Sequence, residues 1–245
     1  MKIFAVYNVK GGVGKTTSCV NLAYLSSLNQ RTLLWDLDPQ GGATALLNEH
    51  PEDSVKAKKV IKDKKHFVSL IKLTRFQNLS LVPAFFSLRN MDLVLEDRKK
   101  SGKSLKKILQ ELDDQYKVMF IDCPPSISIL SEAIFTLADY LLVPVIPTIL
   151  SLKSLDQLSH HLARKGHSTK KLFPFFNMVD RRRKLHKELM EKEFDEGNML
   201  TSVLPYRAEI EKMSIVKAPL PHFAPHSAEA EMYLALWKEI LGRVR

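Results

Sequence analysis

The sequence predicts a single α/β domain built on a doubly wound, mainly parallel sheet with helices on both faces. Apolar runs bounded by turns alternate with helix-like stretches along the 245-residue chain, and this alternation is typical of α/β folds. The runs are apolar without interruption, as strands covered on both faces require. No internal repeat and no Gly/Ser-rich linker divides the chain, so we expect one domain over residues 1–245.

The predicted strands and helices follow one another along the chain. The first strand, at 3–9, runs into a glycine loop, and the first helix, at 16–28, starts within that loop. Further apolar runs with turns on both sides are predicted as strands, at 32–35, 79–82, 117–121, 140–145 and 172–176. The stretches with helical character between them are predicted as helices, at 104–112, 129–137, 152–163 and 185–194.

Composition excludes several classes of protein. With 45% hydrophobic and 26% charged residues, 9 Gly and 12 Pro, the chain is not collagen-like, low in complexity or wholly disordered. Its richest apolar run, 141–147, is short and broken by proline, so no membrane span is predicted. The first strand starts directly behind Met1-Lys2, which predicts a cytoplasmic protein without a signal peptide. Cys19 and Cys123 lie far apart in the sequence, which argues against a disulfide framework.

The charge balance indicates a polyanionic partner. Lys and Arg total 37 against 27 Asp and Glu, for a formal net charge of +10. Such an excess favours nucleic acid or an anionic membrane surface, although a basic surface without such a partner is the alternative. The least regular segment, 51–66, is expected to form a mobile surface insertion with a solvated face. Its lysines are Lys56, Lys58, Lys59, Lys62, Lys64 and Lys65.

The strongest motif is a glycine-rich loop between the first strand and the first helix. Its residues are Lys10, Gly11, Gly12, Val13, Gly14, Lys15, Thr16 and Thr17. Glycines let backbone N–H groups curl around a phosphate, and the helix adds the positive end of its dipole. In such a loop Lys15 reaches the β- and γ-phosphates of a nucleotide, and the Thr16 hydroxyl binds Mg²⁺. The ordinary pattern has a glycine five residues before Gly14, where this chain has Val9, so the variant with a leading lysine fits instead.

Two further segments place acidic residues at the ends of predicted strands. Asp36 and Asp38 follow the strand at 32–35, and Asp122 follows the strand at 117–121. In open α/β sheets ligands bind outside the carboxyl ends of the strands, so these acids and the loop converge on one crevice. Carboxylates there hold the hydration shell of Mg²⁺, which keeps several of its waters. A single Asp at a strand end also serves as a turn former or helix cap, but the combination indicates a nucleotide site.

These motifs resemble those of the ParA/MinD family of deviant Walker ATPases. The resemblance rests on the lysine-first loop and on five further segments, at 36–41, 122–126, 143–145, 177–180 and 227–233. The chain is most similar to the short ParA-type partition and positioning ATPases without an N-terminal helix-turn-helix region. It departs from the common pattern at Gly42, where many relatives carry Asn, and in the lysine-rich insertion. The resemblance implies a P-loop NTPase fold that binds ATP and Mg²⁺.

The resemblance also implies a role for each site residue. Family members form an ATP-sandwich dimer, in which the first loop lysine, here Lys10, reaches the nucleotide of the other subunit. Asp38 would orient the attacking water, while Asp36 and Asp122 organise Mg²⁺ and its waters. A lysine supplied in this way acts somewhat like an arginine finger. Asn177 is placed for the adenine edge, and the segment around Pro205 for packing over the base.

ParA-like dimers bind DNA without sequence preference, and arginines of the C-terminal third commonly contribute. The matching cations are Arg181, Arg182, Arg183, Lys184 and Arg207. Binding to the DNA backbone needs such cations and no base-reading element, and no sequence-specific DNA motif is visible. The resemblance further implies a nucleoid-associated protein whose hydrolysis is stimulated by a ParB-like adaptor on the cargo. The cargo would be a plasmid, a chromosome region or a protein assembly.

The C-terminal segment supports an alternative function. Apolar residues follow helical spacing there, at Ala230, Tyr233, Leu234, Trp237, Ile240, Leu241 and Val244. A MinD-like protein uses such a helix to lie on an anionic membrane. Amphipathic helices more often close the core, and Glu229, Glu231 and Glu239 weaken a cationic membrane face. A small-molecule ligase on the same fold is a further alternative, against which the basic charge balance argues.

Overall fold

The computed structural model describes residues 1–50, 55–96, 101–191 and 199–244. Within these ranges eight strands form one sheet in the order β3-β4-β2-β5-β1-β6-β7-β8, in which only the β3–β4 pair is antiparallel. The strands are β1 (Lys2–Val6), β2 (Thr32–Asp36), β3 (Lys72–Leu73), β4 (Leu79–Val82), β5 (Val118–Asp122), β6 (Tyr140–Val145), β7 (Leu172–Val179) and β8 (Val203–Pro205). The predicted doubly wound, mainly parallel α/β fold is confirmed.

Helices connect the parallel strands. They are α1 (Lys15–Ser27), α2 (Gly42–Leu46), α3 (Ala57–Lys62), α4 (Lys64–Ser69), α5 (Met91–Glu96), α6 (Ser101–Gln110), α7 (Ile129–Leu137), α8 (Ile149–Arg164), α9 (Lys184–Met190), α10 (Ala208–Glu211), α11 (Met213–Val216), α12 (Leu220–Phe223) and α13 (Ala228–Arg243). Short 3₁₀ turns occupy Phe86–Asn90 and Thr169–Lys171. The five predicted helices correspond to α1, α6, α7, α8 and α9, although the predicted end of the last one lies partly outside the described residues.

Side chains on the two faces of the sheet form separate apolar layers. Tyr7 and Trp35 belong to the layer covered by α3 to α8, and Trp35 packs edge-on against Phe67 of α4 at 5.0 Å between ring centroids. Phe4 belongs to the opposite layer, which α1, α12 and α13 cover. Its ring lies 5.7 Å from that of Trp237 of α13. Alternate side chains of each strand thus reach opposite layers, as a sheet buried on both faces requires.

In the described part of the segment at 51–66, the predicted solvated lysine face is found, but the expected irregular backbone is not. Helices α3 and α4 occupy most of 57–69, and the side chains of Ala57, Val60 and Phe67 are buried in the core. Lysines alternate with these apolar residues and point outward, so the segment is amphipathic rather than merely solvated. Lys56, Lys58, Lys59, Lys64 and Lys65 are exposed. Residues 51–54 lie outside the described ranges.

The C-terminal helix α13 closes the core. Tyr233, Leu236, Trp237 and Ile240 are buried, so most of the predicted apolar stripe packs against the sheet and α1. Leu234 and Leu241 keep 38% and 45% of their surface exposed. Among the described helices, none is both long and apolar enough to traverse a bilayer. Core packing is therefore the main role of this stripe.

The strand order brings the predicted site together. In the sheet β5 lies between β1 and β2, and the register pairs Asp122 with both Val6 and Asp36. The loop after β1 and the acids at the ends of β2 and β5 therefore share one carboxyl edge, which is where α/β proteins bind ligands.

Candidate functional site

The glycine loop leaves the start of α1 free to bind an anion. Gly12 and Gly14 have φ values of 71° and 81°, a left-handed conformation that side chains disfavour. Gly14 is also the N-cap of α1, and no side chain caps its first turn. The N–H groups of this turn consequently lack side-chain acceptors and, with the helix dipole, favour a phosphate.

Two features require glycine at position 14, its left-handed backbone and the close approach of the Asn177 side chain. A Cβ atom at this position would lie 2.3 Å from Nδ2 of Asn177, which lies near the end of β7. That Nδ2 atom donates to the carbonyl of Val13 at 2.8 Å, and Asn177 is only 4% exposed. The predicted adenine-contacting residue therefore also fastens the loop, and its Oδ1 atom is the part left to accept a further hydrogen bond.

The two loop lysines have different environments. Lys15 is buried, and its Nζ donates to the carbonyl of Lys10 at 2.9 Å. Burial lowers the pKa of Lys15, while Asp122 and Asp38 partly raise it again. Lys10 is half-buried, and its side chain makes no ion pair within the described ranges. Lys15 thus points into the site, whereas Lys10 is available to a group outside the subunit.

Asn8 holds the glycine loop through two hydrogen bonds, a role that was not predicted from the sequence. Its Oδ1 accepts from the backbone N–H of Lys10 at 3.0 Å, and its Nδ2 donates to the carbonyl of Pro144 at 2.8 Å. These bonds tie the leading lysine to β6. The only available sequence signal was a polar residue, buried here, at the end of an apolar strand.

Asp36 is held by helix α2. Its Oδ2 accepts from the backbone N–H and the hydroxyl of Thr44, at 2.8 and 2.7 Å, and its Oδ1 accepts from the N–H of Asp38 at 3.2 Å. Burial raises its pKa to about 6, although the Thr44 bonds oppose that shift. Because both of its oxygens accept hydrogen bonds, Asp36 positions the loop that carries Asp38, and it would contact a hydrated cation through water.

Asp122 is the buried carboxylate that most needs a cation. It is fully buried, and neither oxygen has a well-formed hydrogen bond among the described residues. Burial and the nearby Asp36 raise its pKa well above the usual range, while the Thr16 hydroxyl and Lys15 lower it. A buried carboxylate without partners costs free energy that a divalent cation offsets. Thr16 and Asp122 therefore fit Mg²⁺, which prefers oxygen ligands.

Replacing Asp122 by Asn should stabilise the ligand-free protein at high pH. Because the folded-state pKa is raised, the wild type loses stability as pH rises above the unfolded value of 3.8. Asn cannot ionise, so we expect a gain of about 1–3 kcal/mol at pH 8 that shrinks at pH 5. Thermal unfolding at the two pH values measures this. A gain in stability of equal size at both pH values would contradict the raised pKa of Asp122 in the folded protein.

Asp38 lies beside the same crevice but is less buried. Its Oδ1 accepts from the backbone N–H of Gln40 at 2.9 Å, which closes the turn after β2. The carboxylate faces Lys15 closely enough to raise the pKa of that lysine. Asp38 is thus oriented by its own turn, and its Oδ2 atom, which accepts no hydrogen bond among the described residues, remains for a ligand or a water.

A small cavity adjoins the loop on the side of β7 and β8. It measures about 90 Å³ and is lined by Gly14, Thr17, Asn177, Met178, Pro205, Tyr206, Arg207, Ile210, Glu211 and Tyr233. The sequence reasoning grouped Asn177 with Pro205, and the structure brings both to this cavity. Tyr206 belongs to the predicted segment around Pro205, whereas Glu211 and Tyr233 were not predicted to line the cavity.

The predicted DNA-contacting cations are all exposed, and three of them form ion pairs with acids. Arg182 forms two hydrogen bonds of 2.9 Å with Asp180. Lys184 lies 3.5 Å from Glu188, and Arg207 lies 3.6 Å from Glu229. Arg181 and Arg183 make no ion pair within the described part of the chain. These two arginines are therefore the strongest candidates for phosphate contacts.

Comparison with known proteins places the chain among partition ATPases. Residues 1–173 match a family model described as an AAA domain. The chain is 32% identical to the sporulation initiation inhibitor protein Soj of Bacillus subtilis, with 98% of each protein covered. It is 31% identical to the chromosome-partitioning ATPase Soj of Treponema pallidum, with 99% of this chain and 98% of the relative covered.

Solved structures have the same architecture. A putative plasmid partition protein from Borrelia burgdorferi, bound to AMPPNP, superposes with a TM-score of 0.80 at 23% identity over 99% of both chains. The septum site-determining protein MinD of Pyrococcus horikoshii, complexed with Mg-ADP, gives a TM-score of 0.75 at 19% identity over 98% of this chain and 95% of its own. At these identities the two structures establish the fold.

Proposed function

Because the chain belongs to the ParA/MinD family of partition ATPases, we propose that it is an ATPase that positions cargo as an ATP-bound dimer on DNA. ATP binding drives dimerisation and DNA binding, and hydrolysis stimulated by a ParB-like adaptor on the cargo releases the dimer. The observation that carries the proposal is one edge of the sheet, where the uncapped N–H groups of α1 and the buried side chains of Lys15 and Asp122 meet. Such a protein works in the cytoplasm on the nucleoid.

The loop and the acids divide the work of hydrolysis. The N–H groups of the loop and Lys15 hold the β- and γ-phosphates. Thr16 and Asp122 would hold Mg²⁺, with Asp36 beside them, and the bound ion would supply positive charge that stabilises the phosphates. Asp38 orients the attacking water, because its carboxylate faces the site and keeps a free acceptor. Phosphoryl transfer depends mainly on such positioning and charge stabilisation.

Lys10 supports the proposed dimer. Its backbone is fastened through Asn8, while its side chain has no ion-pair partner within the described residues. Gly11 and Gly12 beside it are exposed, and a Cβ atom at either would meet nothing within 4 Å. The leading half of the loop thus faces outward, where a second subunit can approach and receive the lysine at its nucleotide.

Replacing Asp38 by Ala tests the hydrolytic step. The variant should still bind ATP and dimerise, because it loses a water-positioning group rather than a phosphate contact. Turnover should fall by about 10²–10⁴-fold, and the protein should accumulate as a DNA-bound dimer. ATPase assays with DNA and adaptor, beside gel filtration with ATP, measure both effects. Asp156→Ala, which changes a surface acid paired with His160, is the control. Normal stimulated turnover in Asp38→Ala would refute its role.

Arg181 and Arg183 should carry much of the DNA affinity. Removing one phosphate-binding cation lowers the salt slope of binding by about 0.9, so the double Ala variant should bind more weakly and show a flatter slope. DNA affinity measured with ATP at several salt concentrations gives this slope. The Lys153→Ala/Lys165→Ala variant removes two exposed charges at α8 and serves as the control. Equal slopes in both variants would leave Arg207, Lys212, Lys217 or the exposed lysines of α3 and α4 to contact DNA.

A further inference from the structure

Tyr206 and Glu211, which line the cavity beside the loop, are hydrogen-bonded to each other. The Tyr206 hydroxyl donates to Oε1 of Glu211 at 2.9 Å, and both residues line the cavity. Tyr206 follows β8 directly, and Glu211 is the last residue of α10. Only four residues separate them, so a short, ordered segment places both groups.

The polar lining of this cavity contains both hydrogen-bond donors and acceptors. One N–H of the Asn177 amide donates to the Val13 carbonyl, which leaves its second N–H as a donor and its Oδ1 as an acceptor. Arg207 adds N–H donors, and its Nε atom lies 3.6 Å from Glu229. Glu211 contributes a carboxylate, which only accepts when ionised. At Glu211 the cavity therefore suits a ligand edge that donates a hydrogen bond.

Resting on the proposed function, we propose that Glu211 selects adenine over guanine in this cavity. The exocyclic amino group of adenine donates a hydrogen bond and replaces the Tyr206 hydroxyl at Glu211. Guanine has a carbonyl oxygen at the same ring position, and that acceptor faces a carboxylate without a proton between them. A nucleotide that leaves such a polar group without a hydrogen-bond partner binds about tenfold to hundredfold more weakly.

The same helix contains a matched control for Glu211. Glu209 lies two residues earlier in α10, and its carboxylate pairs with Lys212 at 2.7 Å. It does not line the cavity. Replacing either acid by Gln removes one negative charge from α10, so a difference between the two variants reports on position rather than on charge.

Isothermal titration with Mg-ATP and Mg-GTP tests the assignment in the full chain. Wild type should prefer ATP, and Glu211→Gln should narrow the ratio of the two affinities at least tenfold, because its amide N–H can donate to the guanine oxygen. Glu209→Gln and Tyr206→Phe should keep the wild-type ratio, since both retain the Glu211 carboxylate.

Two outcomes would overturn the assignment in distinguishable ways. A wild-type ratio in Glu211→Gln, with both nucleotides still bound, would show that Glu211 does not read the base. If the wild-type protein bound neither nucleotide, the proposed function on which the assignment rests would be refuted. Thermal unfolding of each variant confirms folding before titration, and both Gln changes concern side chains outside the buried core.

Discussion

Replacing Lys15 by Ala should abolish ATP binding, and with it ATP-driven dimerisation and DNA binding. Lys15 is 7% exposed and is the cation directed into a site that also contains Asp36, Asp38 and Asp122. Without the positive charge of Lys15, the negative charge of a triphosphate beside these three acids would be less compensated. Hydrogen bonds to charged groups contribute about 1.5–3 kcal/mol each in proteins, so removing the bonds to two phosphates predicts at least about a hundredfold weaker binding.

Calorimetric titration with Mg-ATP measures the effect of Lys15→Ala, and Lys10→Ala is its matched control. Both variants remove one lysine from the same loop, but the Lys10 side chain is half-buried and forms no ion pair with the acids of the site among the described residues. We expect Lys10→Ala to retain ATP binding and to lose dimerisation in gel filtration. Unchanged ATP affinity in Lys15→Ala would refute the assignment of this loop to the β- and γ-phosphates.

Truncation before Tyr233 should unfold the protein. It removes the buried side chains of Tyr233, Leu236, Trp237 and Ile240. Removal of each large core side chain typically costs about 2–5 kcal/mol, while whole domains are stable by only about 5–15 kcal/mol. Circular dichroism and thermal unfolding should therefore show no cooperative transition in the truncated chain.

Substitutions on the exposed face of α13 distinguish core packing from the MinD-like alternative of membrane binding. A Leu234→Ser/Leu241→Ser variant changes two side chains that are 38% and 45% exposed, so it should remain folded with a similar Tm. Liposome flotation of wild type and this variant, with anionic lipid and ATP, should show no binding for either. Wild-type flotation that the double variant loses, or a folded truncation that loses only lipid binding, would favour the membrane function.

Local pattern was enough to predict much of the fold and the centre of the site. Glycines at 11, 12 and 14, followed by Lys15 and Thr16, specify a loop whose geometry depends on neighbouring residues in the chain. The central strands were predicted within a few residues, because burial on both faces leaves long apolar runs. The convergence of Asp36 and Asp122 followed from one rule about the carboxyl ends of parallel strands, and the register confirms that the two residues are neighbours.

Short or edge elements were not predictable in this way. Strands β3 and β8 have two and three residues, too few for a periodic pattern. The segment at 51–66 was expected to be irregular, because its many lysines hide the apolar residues that α3 and α4 bury. In both cases the contacts with distant parts of the chain determine the structure.

Residue type and short spacing were sufficient to identify the family, the glycine loop and the acids that surround it. How each of these groups is used depends on the folded chain. Folding occupies the oxygens of Asp36 with Thr44 and Asp38, leaves Asp122 without a well-formed partner among the described residues, and pairs Arg207 with Glu229. It also joins Asn177 to Glu211 and Tyr206 around one cavity. Hydrogen bonds and ion pairs are short-ranged, so their partners become known only when distant segments of the chain are brought within a few ångströms.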